Sequence, residues 1–171
     1  ASGLVTARPS ARRFVLNGSI TVRIGDGTEI RSHVLIERDT TIGADCQIHQ
    51  GAVLGTDPQD LKYRGEDTTL VVGDRTVIRE YATLNRGTAD LEQTTVGDDC
   101  LLMAYSHVAH DCQIGNNVVL ANAVNMAGHV FIEDWAIVGG LTAIHQFVRV
   151  GEHAFIGGKS AVPLDIPPFT L

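Results

Sequence analysis

Aromatic residues and long apolar runs are both scarce in this chain of 171 residues. Phe, Tyr and Trp together account for 5% of the sequence, whereas 44% of residues are hydrophobic and 18 are glycine. The core must therefore be filled mainly by Val, Ile, Leu and small side chains, which suits a narrow and repetitive interior. No apolar run approaches the roughly 20 residues of a membrane-spanning helix, so we expect no membrane span.

Cysteine and basic residues are also in short supply. The three cysteines, Cys46, Cys100 and Cys112, are odd in number and widely spaced, and they predict no disulfide framework. The formal net charge of -7 argues against a nucleic-acid partner, because binding to the phosphate backbone requires a basic surface. Residues 1–13 contain no apolar signal-peptide segment, so we expect a cytoplasmic protein. The length suits a single domain over 1–171.

Aliphatic side chains recur at every sixth residue. Over 24–54, 72–84 and 96–162, each sixth residue counted from Ile24 is Ile, Leu, Val or Met. The fifth residue of each unit is almost always small, and the second is often glycine, as at Gly43. A helix would show a period near 3.6 residues and a strand a period of 2, so this repeat fits neither alone. It fits a short strand followed by a turn.

The repeat predicts an all-β fold, the left-handed parallel β-helix of hexapeptide repeats. The large residue of each unit would fill a triangular coil, and the small residue would lie where the chain bends. Glycine would supply the permissive backbone of the turn. Three units make one coil, and coils stack at about 4.8 Å. All three cysteines occupy the small position, so we expect buried apolar side chains rather than reactive thiols.

Three segments depart from the repeat. Residues 56–70 are polar and must leave the coil as an extruded loop, and residues 89–95 form a shorter excursion. Residues 1–21 fit the repeat poorly and are expected to form an irregular N-terminal arm or cap. Long loops on a rigid scaffold often carry function, and the first loop favours that interpretation here because it carries Asp60, Lys62 and Arg64 together.

Residues eighteen positions apart should lie on neighbouring coils. His110, Gly128 and Gln146 should therefore stack along one edge, with Asp111 beside His129. A histidine with a pKa near neutrality can take a proton from an alcohol, and a neighbouring carboxylate can orient its ring. A glycine N–H can stabilise an oxyanion.

Four of the seven histidines gather along this edge, since His145 lies in the same set of turns and His107 lies just before one of them. Neither Ser nor Cys stands in these turns as a nucleophile, so the simplest chemistry is direct attack by a substrate hydroxyl on an acyl thioester. His107, His110 and His129 also offer three imidazoles, as in a zinc site. In γ-class carbonic anhydrases, however, the two ligands from one chain are spaced more widely. We therefore expect no metal.

Three segments resemble a known family. Residues 55–88, 101–122 and 127–151 are similar to the UDP-N-acetylglucosamine 3-O-acyltransferases of lipid A synthesis, and the similarity runs from about residue 22 to residue 168. The resemblance implies transfer of an (R)-3-hydroxyacyl group from acyl carrier protein to the 3-position of a UDP-N-acetylglucosamine-type sugar. It further implies a homotrimer that uses no cofactor, with its sites between subunits.

The resemblance also assigns roles to residues. His110 matches the general base, Asp111 its neighbour and Gly128 the oxyanion donor. Gly158 matches the position that limits acyl-chain length. Residues implied to bind or line the substrates are Gln59, Asp60, Lys62, His107, His129, His145 and Gln146.

The chain also departs from the family. Family members carry more hexapeptide units before the repeat and a helical region after it, and we expect this chain to lack that C-terminal helical region. Three alternatives therefore stay open beside the zinc hydrase. They are a related hexapeptide sugar N-acyltransferase, a CoA-dependent acetyltransferase and a scaffold without activity. The N-acyltransferase relatives lack the QDLKY loop motif found here at 59–63.

Overall fold

The computed structural model describes residues 21–171, together with the backbone of two earlier strands, β1 (Val5–Thr6) and β2 (Arg12–Phe14). The predicted arm or cap over 1–21 otherwise lies outside the described residues. The two strands run antiparallel to their neighbours, whereas all other described strand pairs are parallel.

The strands form three sheets. The first contains β1, β4 (Glu29–Ile30), β7 (Gln47–Ile48), β10 (Val77–Ile78), β13 (Leu101–Leu102), β16 (Val119–Leu120), β19 (Ile137–Val138) and β22 (Phe155–Ile156). The second contains β5 (Leu35–Ile36), β8 (Val53–Thr56), β11 (Thr83–Asn85), β14 (His107–Val108), β17 (Asn125–Met126), β20 (Ala143–Ile144) and β23 (Ala161–Val162). The third contains β2, β3 (Val22–Ile24), β6 (Thr40–Ile42), β9 (Thr69–Val72), β12 (Gln93–Val96), β15 (Gln113–Ile114), β18 (Phe131–Ile132) and β21 (Arg149–Val150).

The chain visits the three sheets in turn, so successive coils stack as the sides of a triangular prism. The aliphatic first position of each unit lies in a strand and points inward, and nearly all of these side chains are buried. The small fifth positions lie beside them, mostly buried as well. The left-handed parallel β-helix predicted from the six-residue period is therefore confirmed.

Glycine serves a different purpose in the turns from the one that the sequence suggested. The left-handed backbone conformation falls on the fourth residue of each unit, which is rarely glycine: examples are Asp45 (φ 53°) and His129 (φ 61°). The second-position glycines instead permit close stacking. A Cβ on Gly43 would lie 2.6 Å from the carbonyl carbon of Gly73 in the next coil. The expectation that these glycines supply the permissive turn conformation is therefore wrong.

The cysteines lie where the repeat places them. All three are buried and free of disulfide bonds. Burial raises the pKa of the Cys100 thiol to about 11 and that of the Cys112 thiol to about 12. The thiolate is the nucleophilic form, so these side chains behave as small apolar residues of the core.

The two interruptions are bounded by lengthened strands. Strand β8 takes in Thr56 and β9 begins at Thr69, so the extruded loop outside the sheets is 57–68. Strand β12 begins at Gln93, which leaves a short turn over 88–92. The described part of the chain contains no helix, and hence none long and apolar enough to cross a membrane.

Candidate active site

The candidate site lies at the corner between the second and third sheets. Val108 pairs with Met126 and Met126 with Ile144, so the turns that follow these residues stack on one another. The offset of eighteen residues predicted from the repeat is thus present at this corner.

A cleft of about 480 Å³ opens beside these turns. Its lining includes three of the predicted residues from successive coils, His110, Gly128 and Gln146, together with His107. Gln59 also lines it, reaching in from the extruded loop. The repeat and the loop therefore contribute to one concave surface.

The imidazole of His110 is held by its sequence neighbour. His110 Nδ1 lies 2.9 Å from Asp111 Oδ2, and the Asp111 side chain is fully buried. Adjacent side chains usually diverge, but the left-handed conformation of Asp111 (φ 58°) goes with a contact between the two here. With the proton on Nδ1, the hydrogen bond leaves His110 Nε2 free to accept a proton.

Asp111 has two further hydrogen-bond donors. The N–H of Thr88 lies 2.8 Å from Oδ1, and the Thr88 hydroxyl lies 2.6 Å from Oδ2. Burial acts to raise the pKa of Asp111, but the hydrogen bonds from His110 and Thr88 outweigh it and hold the pKa below the usual value. The carboxylate is therefore ionised at neutral pH and able to orient the imidazole.

His129 packs against the same pair from the next coil. Its ring meets the edge of the His110 ring, with 5.1 Å between centroids, and its Nε2 lies 3.6 Å from Asp111 Oδ2. On its far side it stacks on Phe147, with 4.7 Å between ring centroids. The predicted proximity of Asp111 and His129 is thus present in the structure.

His107 is fixed by a residue that the sequence analysis did not single out. Its Nδ1 lies 2.7 Å from the Thr83 hydroxyl. Burial lowers the pKa of His107, and the positive charge of His110 lowers it further. The His107 imidazole is therefore neutral at pH 7, and its side chain lines the cleft.

Residue 128 must be glycine because the imidazole of His110 packs directly against it. A Cβ at this position would lie 2.5 Å from His110 Cε1 and 2.7 Å from His110 Nε2. Its N–H donates to no other group in the described part of the chain. The glycine thus lets the imidazole and a free amide share one wall of the cleft.

The predicted residues of the loop separate into two groups. Only Gln59 lines the cleft beside His110. Asp60 and Lys62 line a separate hollow of about 60 Å³ against Ala89 and Asp90. The Asp60 carboxylate there accepts the N–H of Lys62 at 2.9 Å.

Two further predicted residues lie away from the His110 cleft. His145 is exposed, and its Nδ1 lies 3.1 Å from the carbonyl oxygen of Gln146. Gly158 lies in the turn between β22 and β23, at the corner between the first and second sheets, whereas His110 lies at the corner between the second and third. Within one chain, therefore, Gly158 and His110 do not share a cleft.

The three-histidine arrangement considered for zinc does not assemble. The one group of possible ligand atoms among residues 21–171 is His110, Asp111 and His129, which lie within 4.8 Å of one another. His107 is turned instead towards Thr83. The group thus consists of two imidazoles and a carboxylate that already accepts three hydrogen bonds from protein donors.

Thr83 and Thr88 are the site residues that sequence reasoning missed. The excursion shifts the register at this point, so Thr83 pairs with His107 twenty-four rather than eighteen positions later. An offset corrected for the excursion would have found Thr83. Thr88 occupies a small fifth position and carries no distinctive sequence signal.

Comparison with known proteins gives a consistent set of relatives. The family described as "Bacterial transferase hexapeptide (six repeats)" matches residues 93–128. An acyl-[acyl-carrier-protein]–UDP-N-acetylglucosamine O-acyltransferase of Sinorhizobium fredii is 53% identical over 145 residues, which cover 84% of this chain and 54% of that protein. The chain spans about half the length of the curated relatives it matches.

Solved structures agree in fold. The UDP-N-acetylglucosamine acyltransferase of Francisella novicida superposes with a TM-score of 0.85 at 45% identity, over 86% of this chain and 54% of that one. A second UDP-N-acetylglucosamine acyltransferase superposes with a TM-score of 0.72 at 38% identity, over 93% of this chain and 68% of that one.

Proposed function

Because the chain belongs to the UDP-N-acetylglucosamine O-acyltransferase family, we propose that it transfers an (R)-3-hydroxyacyl group from acyl carrier protein to the 3-position of a UDP-N-acetylglucosamine-type sugar. This is the reaction that begins lipid A synthesis, and it would take place in the cytoplasm. The observation that carries the proposal is the buried Asp111 carboxylate, which orients His110 over Gly128 in a cleft.

In the proposed reaction His110 is the general base. Its Nε2 takes the proton from the sugar hydroxyl as the oxygen forms a bond to the thioester carbonyl carbon. Asp111 stabilises the imidazolium that results, because the two groups share a hydrogen bond and Asp111 is ionised. General-base assistance of this kind contributes about 10²–10⁴ in rate.

Gly128 then stabilises the intermediate. Its free N–H donates to the oxyanion that forms at the thioester carbonyl, and one such donor is worth about 10²–10³ in rate. Collapse of the tetrahedral intermediate breaks the carbon–sulfur bond, and the leaving thiolate takes the proton from His110. The scheme needs no nucleophile from the protein and no cofactor.

The other predicted residues would bind the substrates. We assign Gln59 to the acceptor sugar, since it lines the cleft beside His110. Asp60 and Lys62 would bind the polar parts of the same substrate next to it. The residues proposed to line the remaining surface are His107, His129, His145 and Gln146.

Gly158 is proposed to contact the acyl chain, and its position supports a homotrimer. It lies across the second sheet from His110, so a site that contains both needs Gly158 from a second copy of the chain. In a cyclic trimer, the corner between the first and second sheets of each prism could meet the corner between the second and third sheets of the next. Each of the three His110 clefts would then receive Gly158 from a neighbouring copy. The acyl donor would then lie between two copies.

The test is product formation by the purified chain. It is mixed with 3-hydroxyacyl donors of several lengths, on acyl carrier protein and on CoA, and with UDP-sugars that carry a 3-hydroxyl or a 3-amine. Mass spectrometry should detect an ester of UDP-N-acetylglucosamine formed from the carrier-protein donor. Efficient transfer from simple acyl-CoA would indicate a CoA-dependent acetyltransferase instead, and an amide product would indicate an N-acyltransferase.

A further inference from the structure

Arg86 is a fully buried charged side chain outside the cleft. Only 1% of its side chain is exposed, and it lies just beyond β11 at the base of the extruded loop. A buried charge is costly unless it is paired and hydrogen-bonded. The partners of Arg86 therefore show what its burial secures.

Those partners belong mostly to the loop and its first strand. Nη1 donates to the carbonyl oxygen of Gly55, and Nη2 donates to the Asp57 carboxylate. Nη2 also lies 3.1 Å from the Tyr63 hydroxyl, and the Glu37 carboxylate lies 3.8 Å from Nη1. One guanidinium thus joins the start of the loop to its middle.

Tyr63 extends the connection across the loop. Its hydroxyl donates to the carbonyl oxygen of Glu66 at 3.1 Å. Its interaction with Arg38 raises the pKa of that guanidinium. Arg38 in turn lies 3.7 Å from Asp67, near the end of the loop. Tyr63 therefore interacts both with Arg86, which binds the start of the loop, and with Arg38, which lies near the end of the loop.

Asn85 fixes the same point from the adjacent position. Its side-chain amide donates to the Thr56 hydroxyl at 2.9 Å and to the Asp57 carbonyl oxygen at 3.0 Å. Two residues beyond Asp57, Gln59 lines the cleft beside His110. The hydrogen bonds of Arg86 and Asn85 thus set the direction in which the loop leaves the coil, immediately before the side chain that reaches the cleft.

We propose that Arg86 is a positioning residue for the acceptor substrate, which it serves by fixing the 57–68 loop so that Gln59 projects into the His110 cleft. This inference rests on the proposed function. Arg86 itself does not line the cleft, so it acts through the loop rather than on substrate. Ordering a loop before binding removes an entropic cost that substrate would otherwise bear.

Kinetics with each substrate varied separately provide the first test. In Arg86→Lys, which keeps the charge but loses the planar fork, KM for the UDP-sugar should rise about tenfold, while KM for the acyl donor and kcat change by less than about threefold. Tyr63→Phe removes only a hydroxyl and should shift the same constant in the same direction. In an Arg86→Lys background, Tyr63→Phe should add little, since both act through one contact.

The matched control is Tyr105→Phe, the same chemical change on an exposed tyrosine of another corner. Equal KM values for the UDP-sugar in Tyr63→Phe and Tyr105→Phe would overturn the inference. A fall in kcat alone, with both KM values unchanged, would do the same. If Arg86→Lys does not fold, the comparison of Tyr63→Phe with Tyr105→Phe decides.

Hydrogen–deuterium exchange tests the loop without relying on turnover. Amides of residues 59–66 should exchange faster in Tyr63→Phe than in Tyr105→Phe, and identical exchange would reject the role of these contacts in fixing the loop. If the unmodified chain acylates no UDP-sugar, the proposed function fails. The positioning role is then judged by exchange and by calorimetric affinity for UDP-N-acetylglucosamine, which should fall in Tyr63→Phe and not in Tyr105→Phe.

Discussion

A short series of hydrogen bonds runs from Thr88 through Asp111 to His110. Each group in it constrains the next: the Thr88 hydroxyl and N–H fix the carboxylate, the carboxylate fixes the proton on His110 Nδ1, and Nε2 is left facing Gly128. Thr88 and Asp111 are buried, so the His110 imidazole is the part of this network that faces the cleft.

The first prediction concerns His110. His110→Ala should lower kcat by about 10²–10⁴ because it removes the proton acceptor. The fold should persist, since Asp111 keeps both bonds from Thr88. Steady-state turnover and a thermal unfolding scan check the two statements. His153→Ala, at an exposed histidine of another corner, is the control, and wild-type turnover in His110→Ala would remove the assigned base.

The second prediction concerns Thr88 and pH. The pKa of Asp111 is lowered in the folded protein, so its hydrogen bonds stabilise the fold above the pKa of an unfolded carboxyl, and this stabilisation is lost as pH falls through the lowered pKa. Thr88→Val removes one donor and should cost about 1–3 kcal/mol near neutral pH, but less in acid.

Thr88→Ser keeps the hydroxyl and is the matched control for this change. Denaturant unfolding of both variants at about pH 7 and at a series of pH values that continues below the ordinary carboxyl pKa of about 3.9 measures the difference. A gap between Val and Ser that stays the same as the pH falls through the lowered pKa of Asp111 would show that the loss comes from packing and not from the carboxylate.

At the scale of the element, each turn is governed by contact with the coil beside it. Gly43→Ala should destabilise the protein by about 2 kcal/mol or more, because its Cβ would lie 2.6 Å from the backbone of the next coil. Gly157 holds the same second position in the last coil that the structure describes, and a Cβ there would meet nothing within 4 Å.

Gly157→Ala is therefore the control, and it should be neutral or stabilise the fold by up to about 1 kcal/mol, since it only restricts the unfolded chain. The free energy of unfolding from urea titration compares the two variants. Equal losses would mean that backbone conformation, rather than close stacking, selects glycine at this position.

The sequence was sufficient to predict what the period determines, and insufficient elsewhere. The inward face, the three buried cysteines and the stacking of His110 on Gly128 all follow from counting in sixes and eighteens. The separation of Gln59 from Asp60 does not, because a loop outside the sheets has no register. Nor does Arg86, whose burial depends on partners from that loop.

At the scale of the whole molecule, the three outer faces of the prism differ in polarity. The outward positions of the first sheet become apolar along the prism, ending in Val119, Ile137 and Phe155. The third sheet presents Gln113, Phe131 and Arg149 at the corresponding places. A continuous apolar strip on a single face favours contact with a second copy of the chain.

The last prediction uses this difference to test the proposed trimer. Ile137 is 39% exposed and lies in the middle of the apolar strip. Ile137→Lys would bury an unpaired ammonium if that face meets another copy, so the variant should dissociate to the single-chain mass of 18.3 kDa in light scattering. Gln113→Lys introduces the same charge at an outward position of the third sheet and should leave the assembly intact.

In Ile137→Lys, acyl transfer should be lost together with the trimer, because Gly158 of one copy would no longer reach the His110 cleft of the next. A trimeric Ile137→Lys protein would place the subunit contact on another face, and a monomeric protein with full activity would contradict a site shared between chains.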